Sequence, residues 1–569
     1  MSDRSARAKR APSTALVTGA AGSIGRETVV ALARLGWRVA ATDRPGTSRA
    51  LLDQAVVAAG VADLVHHFDL DVTDPAAASR AVAAVAEWTN APLDLLVNNA
   101  GVRSAGLFTH TPSDAHRSMF AVNYFGACNV TRAVLPFMRT QGHGHVVVVS
   151  SVGALGGLPG LAGYCASKSA VEGWAESVAM EVRPFGIRFT LVEPASVRSD
   201  IWRSGSFHVA LDASDTALAS QLRDIDAAAE QSAGDPRAVA RAIVRSAGVG
   251  ARWTPTRVPV GVTAVARHVA RGVLPPRAQR IVLRRALHLN APVVPPPLAR
   301  GDAVLVTGAS SGLGHDLLLA LHDQGWRVIA SVRDDAKRDA LRVDLAGRDI
   351  DIVTMVQNDE TSVARAFGEV ASLSGGSLAA VVANAGLKVT GPFEELSPDA
   401  LQSMIDVNVF GTWFVVRGAI DLLRAHNGGR IVVVGSSSGF TGMPGWSGYA
   451  AAKFALETWA ESVAYELEAQ AITVTMVEPG TFRSGIYREG STTAVHEGPY
   501  AHLASVIAER EQDALRKAGG PEPVVQRIVE VLSSARPPAR APVGAGARAR
   551  HLARGVIPGS IVQRLLTVR

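Results

Sequence analysis

Cysteine is almost absent: Cys128 and Cys165 are the only two in 569 residues. Two thiols exclude a disulfide framework and a cysteine-built zinc site, and they fit a reducing, cytoplasmic compartment. Aromatic residues make up only 5% and charged residues 19%, against 47% apolar residues, so large buried cores are available and wholesale disorder is not expected. No apolar run reaches the roughly 18 residues that a membrane-spanning helix needs. The opening residues 1–12 carry Arg4, Arg7, Lys9 and Arg10 with no apolar stretch behind them, which predicts a basic tail rather than a secretory signal. The net charge is +6, but the basic residues are scattered, a distribution that gives nucleic acid no binding face.

What the chain does have is a copy of itself. GYCASKSAVEGWAESVA from Gly163 returns as GYAAAKFALETWAESVA from Gly448, an offset of 285 residues. The same offset links Val122-Asn123 to Val407-Asn408 and Val192-Glu193-Pro194 to Val477-Glu478-Pro479. A period this long means two complete domains, expected at 13–290 (unit one) and 301–569 (unit two). The proline-rich stretch 291–300 between them favours extended, semi-rigid geometry.

Each unit alternates short β-rich apolar runs with helix-length stretches. The runs in unit one are Ala15–Thr18, Val39–Thr42, Leu64–Phe68, Leu93–Val97, His145–Val149 and Ile187–Val192. Those in unit two are Ala303–Thr307, Val328–Ser331, Ile350–Thr354, Leu378–Val382, Arg430–Val434 and Ile472–Val477. Near-continuous apolar strands between helices such as Ile24–Leu35 and Leu313–Gln324 predict an α/β fold, two tandem Rossmann-like doubly wound parallel sheets.

A glycine-rich turn follows the first run of each unit. Unit one reads Thr18-Gly19-Ala20-Ala21-Gly22-Ser23-Ile24-Gly25, and unit two reads Thr307-Gly308-Ala309-Ser310-Ser311-Gly312-Leu313-Gly314. Such a turn lets the backbone approach a pyrophosphate and aims the next helix's amides at its charge. At the end of the second run, Asp43 offers an acceptor for ribose hydroxyls and repels a 2′-phosphate, so NAD is expected in unit one. Val332-Arg333 stands in that place in unit two, and a guanidinium pairs with phosphate, so NADP is expected there.

Tyr164 and Lys168 are four residues apart on a predicted helix, as are Tyr449 and Lys453, so each pair shares one helix face. An ammonium one turn from a phenol favours the phenolate and makes proton exchange easier. Ser151 and Ser436 each precede the tyrosine by 13 residues, at the end of an apolar run, where a hydroxyl can hold a substrate oxygen. Ser150, Ser437 and Ser438 are neighbouring hydroxyls that compete for that role.

Together these motifs resemble the short-chain dehydrogenase/reductase family, twice over. Unit two matches the family's T-G-x-x-x-G-x-G turn, with Gly308, Ser310, Gly312, Leu313 and Gly314 as cofactor contacts. Unit one departs, with Ser23 where the family has glycine, beside Gly19, Ile24 and Gly25. Asn98-Asn99-Ala100-Gly101 is similar to the family's N-N-A-G turn; unit two keeps Asn384 of it. Asp71-Val72 resembles the adenine-contacting pair, with Gln357-Asn358 at about that place in unit two. Pro194-Ala195-Ser196 and Pro479-Gly480-Thr481 resemble the turn that holds the nicotinamide, with Ser196 and Thr481 near its carboxamide. The resemblance implies a catalytic set Asn123, Ser151, Tyr164, Lys168 in unit one and Asn408, Ser436, Tyr449, Lys453 in unit two, each asparagine supporting a water relay to lysine. No metal is implied.

The implied activity is NAD(P)-dependent hydride transfer on secondary alcohols and ketones. The unit ends are similar to the 17β-hydroxysteroid and retinol dehydrogenase branch, which implies lipophilic substrates. Segments 199–234 and 484–520 are the implied substrate lids, with Trp202, Phe207, Tyr487 and Tyr500 open to two readings, pocket lining or packing against the domain. The basic amphipathic ends, Val265–Leu289 and Ala549–Arg569, allow peripheral contact with an anionic membrane or docking on their own domain. Trp174 and Trp459 lie on the helices through which family members dimerise, so an intramolecular pseudo-dimer is expected. The alternative is that one unit, unit one by its departures, is a non-catalytic nucleotide-binding scaffold.

Overall fold

The computed structural model of the chain describes residues 13–204, 207–208, 216–248, 256–486 and 497–553. The basic tail 1–12, Tyr487, parts of both lids and the end of the second basic segment lie outside the described residues.

Each unit folds around a seven-stranded sheet in the order 3-2-1-4-5-6-7, parallel at every pairing. Unit one uses Thr14–Thr18, Arg38–Asp43, Val65–Asp69, Leu93–Asn98, Gly144–Val149, Ile187–Pro194 and Arg257–Val260. Unit two repeats the order with Ala303–Thr307, Arg327–Val332, Ile350–Thr354, Ala380–Ala383, Gly429–Val434, Ile472–Pro479 and Arg540–Val543. Six strands per unit fall where the apolar runs predict them, shifted by a residue or two at their ends. The seventh carries no such signal: Arg257-Val-Pro-Val and Arg540-Ala-Pro-Val are short, polar and interrupted by proline, which an edge strand tolerates.

Alternation along the central strands separates two cores. In Gly144–Val149, Val147 and Val149 face the layer around helix Ser23–Ala33, while Val146 and Val148 face the other layer. On that second side the apolar cluster runs continuously from one unit into the other, through helices Ala162–Val182 and Ser447–Leu467. Trp174 stacks edge-on against Phe393 of unit two, and Trp459 against Phe108 of unit one.

The contact between units is reciprocal. Glu466 of unit two accepts the N–H of Gly160 at 2.9 Å and of Phe108 at 2.6 Å. Glu181 of unit one accepts those of Gly445 at 2.8 Å and Phe393 at 2.7 Å. Glu461 and Ser462 take Gly157 and Leu158; Glu176 and Ser177 take Gly442 and Met443. Each glycine-rich loop between the candidate serine and tyrosine is therefore held by the other unit's helix. Arg257 and Arg540 neutralise the acidic side of those helices: Arg257 pairs with Glu172, Glu176 and Glu193, and Arg540 with Glu457, Glu461 and Glu478.

Of the two readings open for Tyr500, pocket lining or packing, the structure shows packing. It is buried against Phe185 of unit one and hydrogen-bonds Glu394, so packing between units claims it. The first basic segment forms helices Val262–Val273 and Pro276–Ala286, and the second docks through Arg280 and Arg284 on Glu468 of unit two. Among the described residues no helix is long and apolar enough to cross a membrane.

Candidate active sites

Both glycine-rich turns form the tight bend between first strand and first helix. Gly19 and Gly308 have φ of +62° and +66°, the left-handed region that favours glycine. A Cβ at Gly25 would lie 2.1 Å from the Gly19 carbonyl oxygen, and one at Gly314 would lie 2.3 Å from that of Gly308. The turn is braced from the fourth strand. Asn99 donates to the carbonyls of Thr18 and Gly19, both at 3.0 Å, and Asn384 to those of Thr307 and Gly308 at 2.9 and 3.3 Å. Asn98, by contrast, is committed to Thr131, so its loss in unit two (Ala383) leaves the turn intact.

The departures in unit one are accommodated. Ser23 donates to Asp200 at 3.0 Å, tying the turn to the segment after the sixth strand. In unit two the same segment lies against glycine instead: Gly312 has φ +55°, and a Cβ on it would meet the Gly485 nitrogen at 2.9 Å. At Gly480 a Cβ would have its nearest neighbour at 3.5 Å, an ordinary contact, so Ala195 fits at the matching position.

One cavity in each unit runs from this turn to the tyrosine. In unit one it measures about 890 Å³ and is lined by Gly19, Ser23, Ile24, Asp43, Asp71, Val72, Asn99, Ser151, Tyr164, Lys168, Pro194 and Ser196. In unit two it measures about 280 Å³ and is lined by Gly308, Ser310, Leu313, Gly314, Arg333, Asn384, Ser436, Tyr449, Lys453, Pro479, Gly480 and Thr481. Gly25, Gly312, Asn123 and Asn408 are not in the cavity walls.

At the nucleotide end, Asp43 accepts the Ala21 N–H at 2.8 Å, and burial raises its carboxyl to about 6 against that bond and the field of Arg49. Arg333 is exposed beside Asp334, and Lys337 lines the same cavity. Sequence reading missed Lys337, which the first turn of helix Asp335–Asp344 brings alongside Arg333. The expected adenine pair of unit two slips by one residue. Strands Val65–Asp69 and Ile350–Thr354 align so that Val356 stands for Asp71 and Gln357 for Val72. Gln357 packs on Gly411 as Val72 does on Gly126, and donates to the Val407 carbonyl at 2.8 Å.

At the other end, Ser151 accepts the Gly153 N–H at 3.1 Å and Ser436 that of Ser438 at 3.1 Å. The neighbouring Ser150 donates its hydroxyl to Glu172 at 2.7 Å. Burial raises the Tyr164 phenol; the hydrogen bond with Ser151 and the field of Arg103 oppose it. Lys168 and Lys453 each donate to a strand carbonyl at 3.0 Å, Val149 and Val434, and burial lowers both to about 8. The field of Arg103 thus acts on Tyr164 as well, in a cavity wall that Lys168 shares. Sequence reading missed Arg103 and its equivalent Lys388, although the 285-residue offset relates them.

The asparagines sit in one π-helical turn each, Ala121–Gly126 and Asp406–Phe410, a wider coil common at functional positions. Asn123 clamps Val102 through both its N–H and its carbonyl, and Asn408 clamps Leu387 likewise. A Cβ on Gly101 would stand 3.2 Å from Asn123 Oδ1 and 3.4 Å from Lys168 Nζ, so the missing side chain leaves a gap shared by both.

The short chain dehydrogenase family model matches residues 13–207 and again 302–494. The oxidoreductase YusZ of Bacillus subtilis is 37% identical over 237 residues, 41% of this chain and 84% of that protein. Retinol dehydrogenase 8 of Bos taurus is 34% identical over 251 residues, 42% of this chain and 80% of that protein. The N-domain of a bacterial malonyl-CoA reductase, solved with NADP, covers 94% of this chain and 98% of its own with a TM-score of 0.65 at 18% identity, a likeness of fold that extends over both units. Two family matches, two seven-stranded parallel sheets and two glycine-rich clefts agree: the chain belongs to the short-chain dehydrogenase family of NAD(P)-dependent oxidoreductases, twice in tandem.

Proposed function

We propose that each unit, 13–290 and 301–569 about the linker 291–300, is a working hydride-transfer site for secondary alcohols and ketones. Unit one uses NAD and unit two NADP. The observation that carries this reading is that Ser, Tyr and Lys line one cavity with the glycine-rich turn in both units. The residues present fit a dinucleotide: Gly19, Ser23 and Ile24 in unit one and Gly308, Ser310, Leu313 and Gly314 in unit two line the cavity where the first helix starts, and a helix start carries free amides for a pyrophosphate.

Bound nicotinamide supplies or accepts the hydride. The chain's own part is proton and oxygen handling. The Ser151 or Ser436 hydroxyl holds the substrate oxygen. The Tyr164 or Tyr449 phenol donates its proton to that oxygen as alkoxide character develops, and takes it back in the oxidative direction. Lys168 and Lys453 replenish it, with Asn123 and Asn408 fixing the loop that borders the relay. Asp43 receives ribose hydroxyls; Arg333 with Lys337 receives a 2′-phosphate.

Leu158, Leu161, Leu222, Ile225, Leu283 and Leu287 give the unit-one cavity an apolar wall, which supports a lipophilic substrate, as does the likeness to a retinol dehydrogenase. The reciprocal contact of the two helices supports an intramolecular pseudo-dimer.

A screen of retinoids, steroids and simple ketones on the intact chain, followed by nicotinamide absorbance with NADH and NADPH separately, tests the reading. The expected result is a substrate turned over with each nucleotide, the NAD-linked rate falling in Asp43→Ala and the NADP-linked rate falling in Arg333→Ala. One nucleotide preference, indifferent to both variants, overturns the cofactor assignment.

A further inference from the structure

Each unit buries a cation beside its tyrosine that the Asn-Ser-Tyr-Lys set does not include. Arg103 follows the Asn99-Ala100-Gly101 turn, and Lys388 follows the matching turn at the 285-residue offset. Each pairs with a carboxylate on the helix of the lid segment: Arg103 with Asp226 on Thr216–Gln231, Lys388 with Glu511 on Ala501–Lys517. Asp226 and Glu511 are also 285 residues apart. The side chains differ in kind between units, guanidinium for ammonium and aspartate for glutamate, yet the charges stand in the same places.

The cations are also seated alike. The Arg103 guanidinium lies 4.5 Å over the Trp202 ring, and the Lys388 ammonium lies 3.8 Å from the centre of the Trp446 ring. Arg103, Asp226 and Tyr164 line one cavity. In unit two the ring of Tyr449 stands between two ammoniums, Lys453 at 5.7 Å and Lys388 at 5.9 Å from its centre. A tether between lid helix and loop needs no charge at all, since an apolar contact of similar volume holds as well without the cost of desolvating two ions. A charge kept at the phenol in both units points to a role in the phenol's chemistry.

We propose that Arg103 and Lys388 are positioning residues of the two catalytic groups: second cations, each held by a lid-helix carboxylate, whose field sets the acidity of the catalytic phenol. The proposal rests on the reading of Tyr164 and Tyr449 as proton donors. Other groups face these phenols. Tyr164 has Ser151, Cys165 and Lys168, with Glu172 behind the lysine and Arg267 of helix Val262–Val273 in the cavity wall. Tyr449 has Lys453 with Glu457 behind it, and Ser436 in the same wall. Among the described residues, Arg103 and Lys388 link the phenol to a lid carboxylate, Asp226 or Glu511. The lid helix thus tunes the phenol by how closely its carboxylate offsets the cation.

The field makes opposite predictions for the two partners. The test is the ultraviolet phenolate titration of the full chain, taken as the difference from Tyr164→Phe for unit one and from Tyr449→Phe for unit two. Arg103→Met is expected to move the Tyr164 midpoint up by about one pH unit, about tenfold less phenolate at a given pH, for a cation several ångströms away in a partly polar surround. Asp226→Asn removes the offsetting charge and is expected to move the midpoint down. Arg103→Lys keeps the charge and is expected to restore the wild-type midpoint. Lys388→Met, Glu511→Gln and Lys388→Arg repeat the pattern for Tyr449. Midpoints that move the same way in the cation and carboxylate variants, or that stay put, reduce the pairs to tethers and overturn the proposal. The titration needs no turnover. A chain that titrates as expected but whose turnover ignores both tyrosine variants sinks the catalytic reading while leaving the electrostatic assignment standing.

Discussion

Removing Glu181 should weaken the molecule most in acid and damage the site of the other unit. Its two oxygens accept the Phe393 and Gly445 N–H groups of unit two, and the charge that acts on it is the like-signed carboxylate of Glu394. Glu181→Ala leaves two buried donors without an acceptor, at about 1–3 kcal/mol each. Against that stands the cost of burying a charge: burial raises this carboxyl from the usual 4.5 to about 8, against the two N–H bonds. A folded pKa above the unfolded one means the folded chain holds an extra proton between those values. The contribution of Glu181 to stability is therefore fullest below about 4.5 and declines as pH rises toward about 8. At pH 7 the decline amounts to about 3 kcal/mol, from roughly 1.4 kcal/mol per pH unit. The alanine variant lacks this slope. It should lose about 2–6 kcal/mol near pH 5 and clearly less near pH 7.5, read from urea unfolding midpoints of the intact chain at both values. Turnover by unit two, measured in a Tyr164→Phe background, should fall with the variant. Turnover by unit one, in a Tyr449→Phe background, should not. A loss of stability that is the same at both pH values, or larger at the higher one, refutes the argument.

Other expectations follow from single contacts. Gly25→Ala and Gly314→Ala drive a methyl into a carbonyl oxygen and should each abolish nucleotide binding in one unit only, seen as half the bound nucleotide per chain in equilibrium dialysis. Arg540→Met strands Glu457 and Glu478 in the interior and should cost about 3–5 kcal/mol, visible as a large drop in thermal midpoint. With Asp43 near 6, protonation removes its ribose acceptor in acid, so KM for NAD should rise as pH falls from 7 to 5. The NADP-linked reaction, which does not use Asp43, should lack that rise.

The duplication, the six apolar strands per unit, the glycine-rich turns and the serine-tyrosine-lysine spacing were legible because each is local: a run, a turn or one helix face. The seventh strand was not, because Pro259 and Pro542 sit on a sheet edge that only the assembled fold defines. Arg103 and Asp226 lie 123 residues apart, and only folding makes them a pair. The targets of Glu181 and Glu466 are backbone N–H groups of the other unit, which no side-chain pattern announces. The lid position of Tyr500 left pocket and packing both open, and its partner, Phe185, lies across the unit boundary, where only the folded chain could place it.

The central claim is that two phenols, one per unit, each serve a hydride-transfer site. It is tested most directly by following nicotinamide absorbance, with both nucleotides and a turned-over substrate pair, in Tyr164→Phe, Tyr449→Phe and the double variant. The account predicts that each single variant loses one nucleotide-linked rate and keeps the other, and that the double variant loses both. A single variant that silences everything, or a double variant that still turns over, contradicts it.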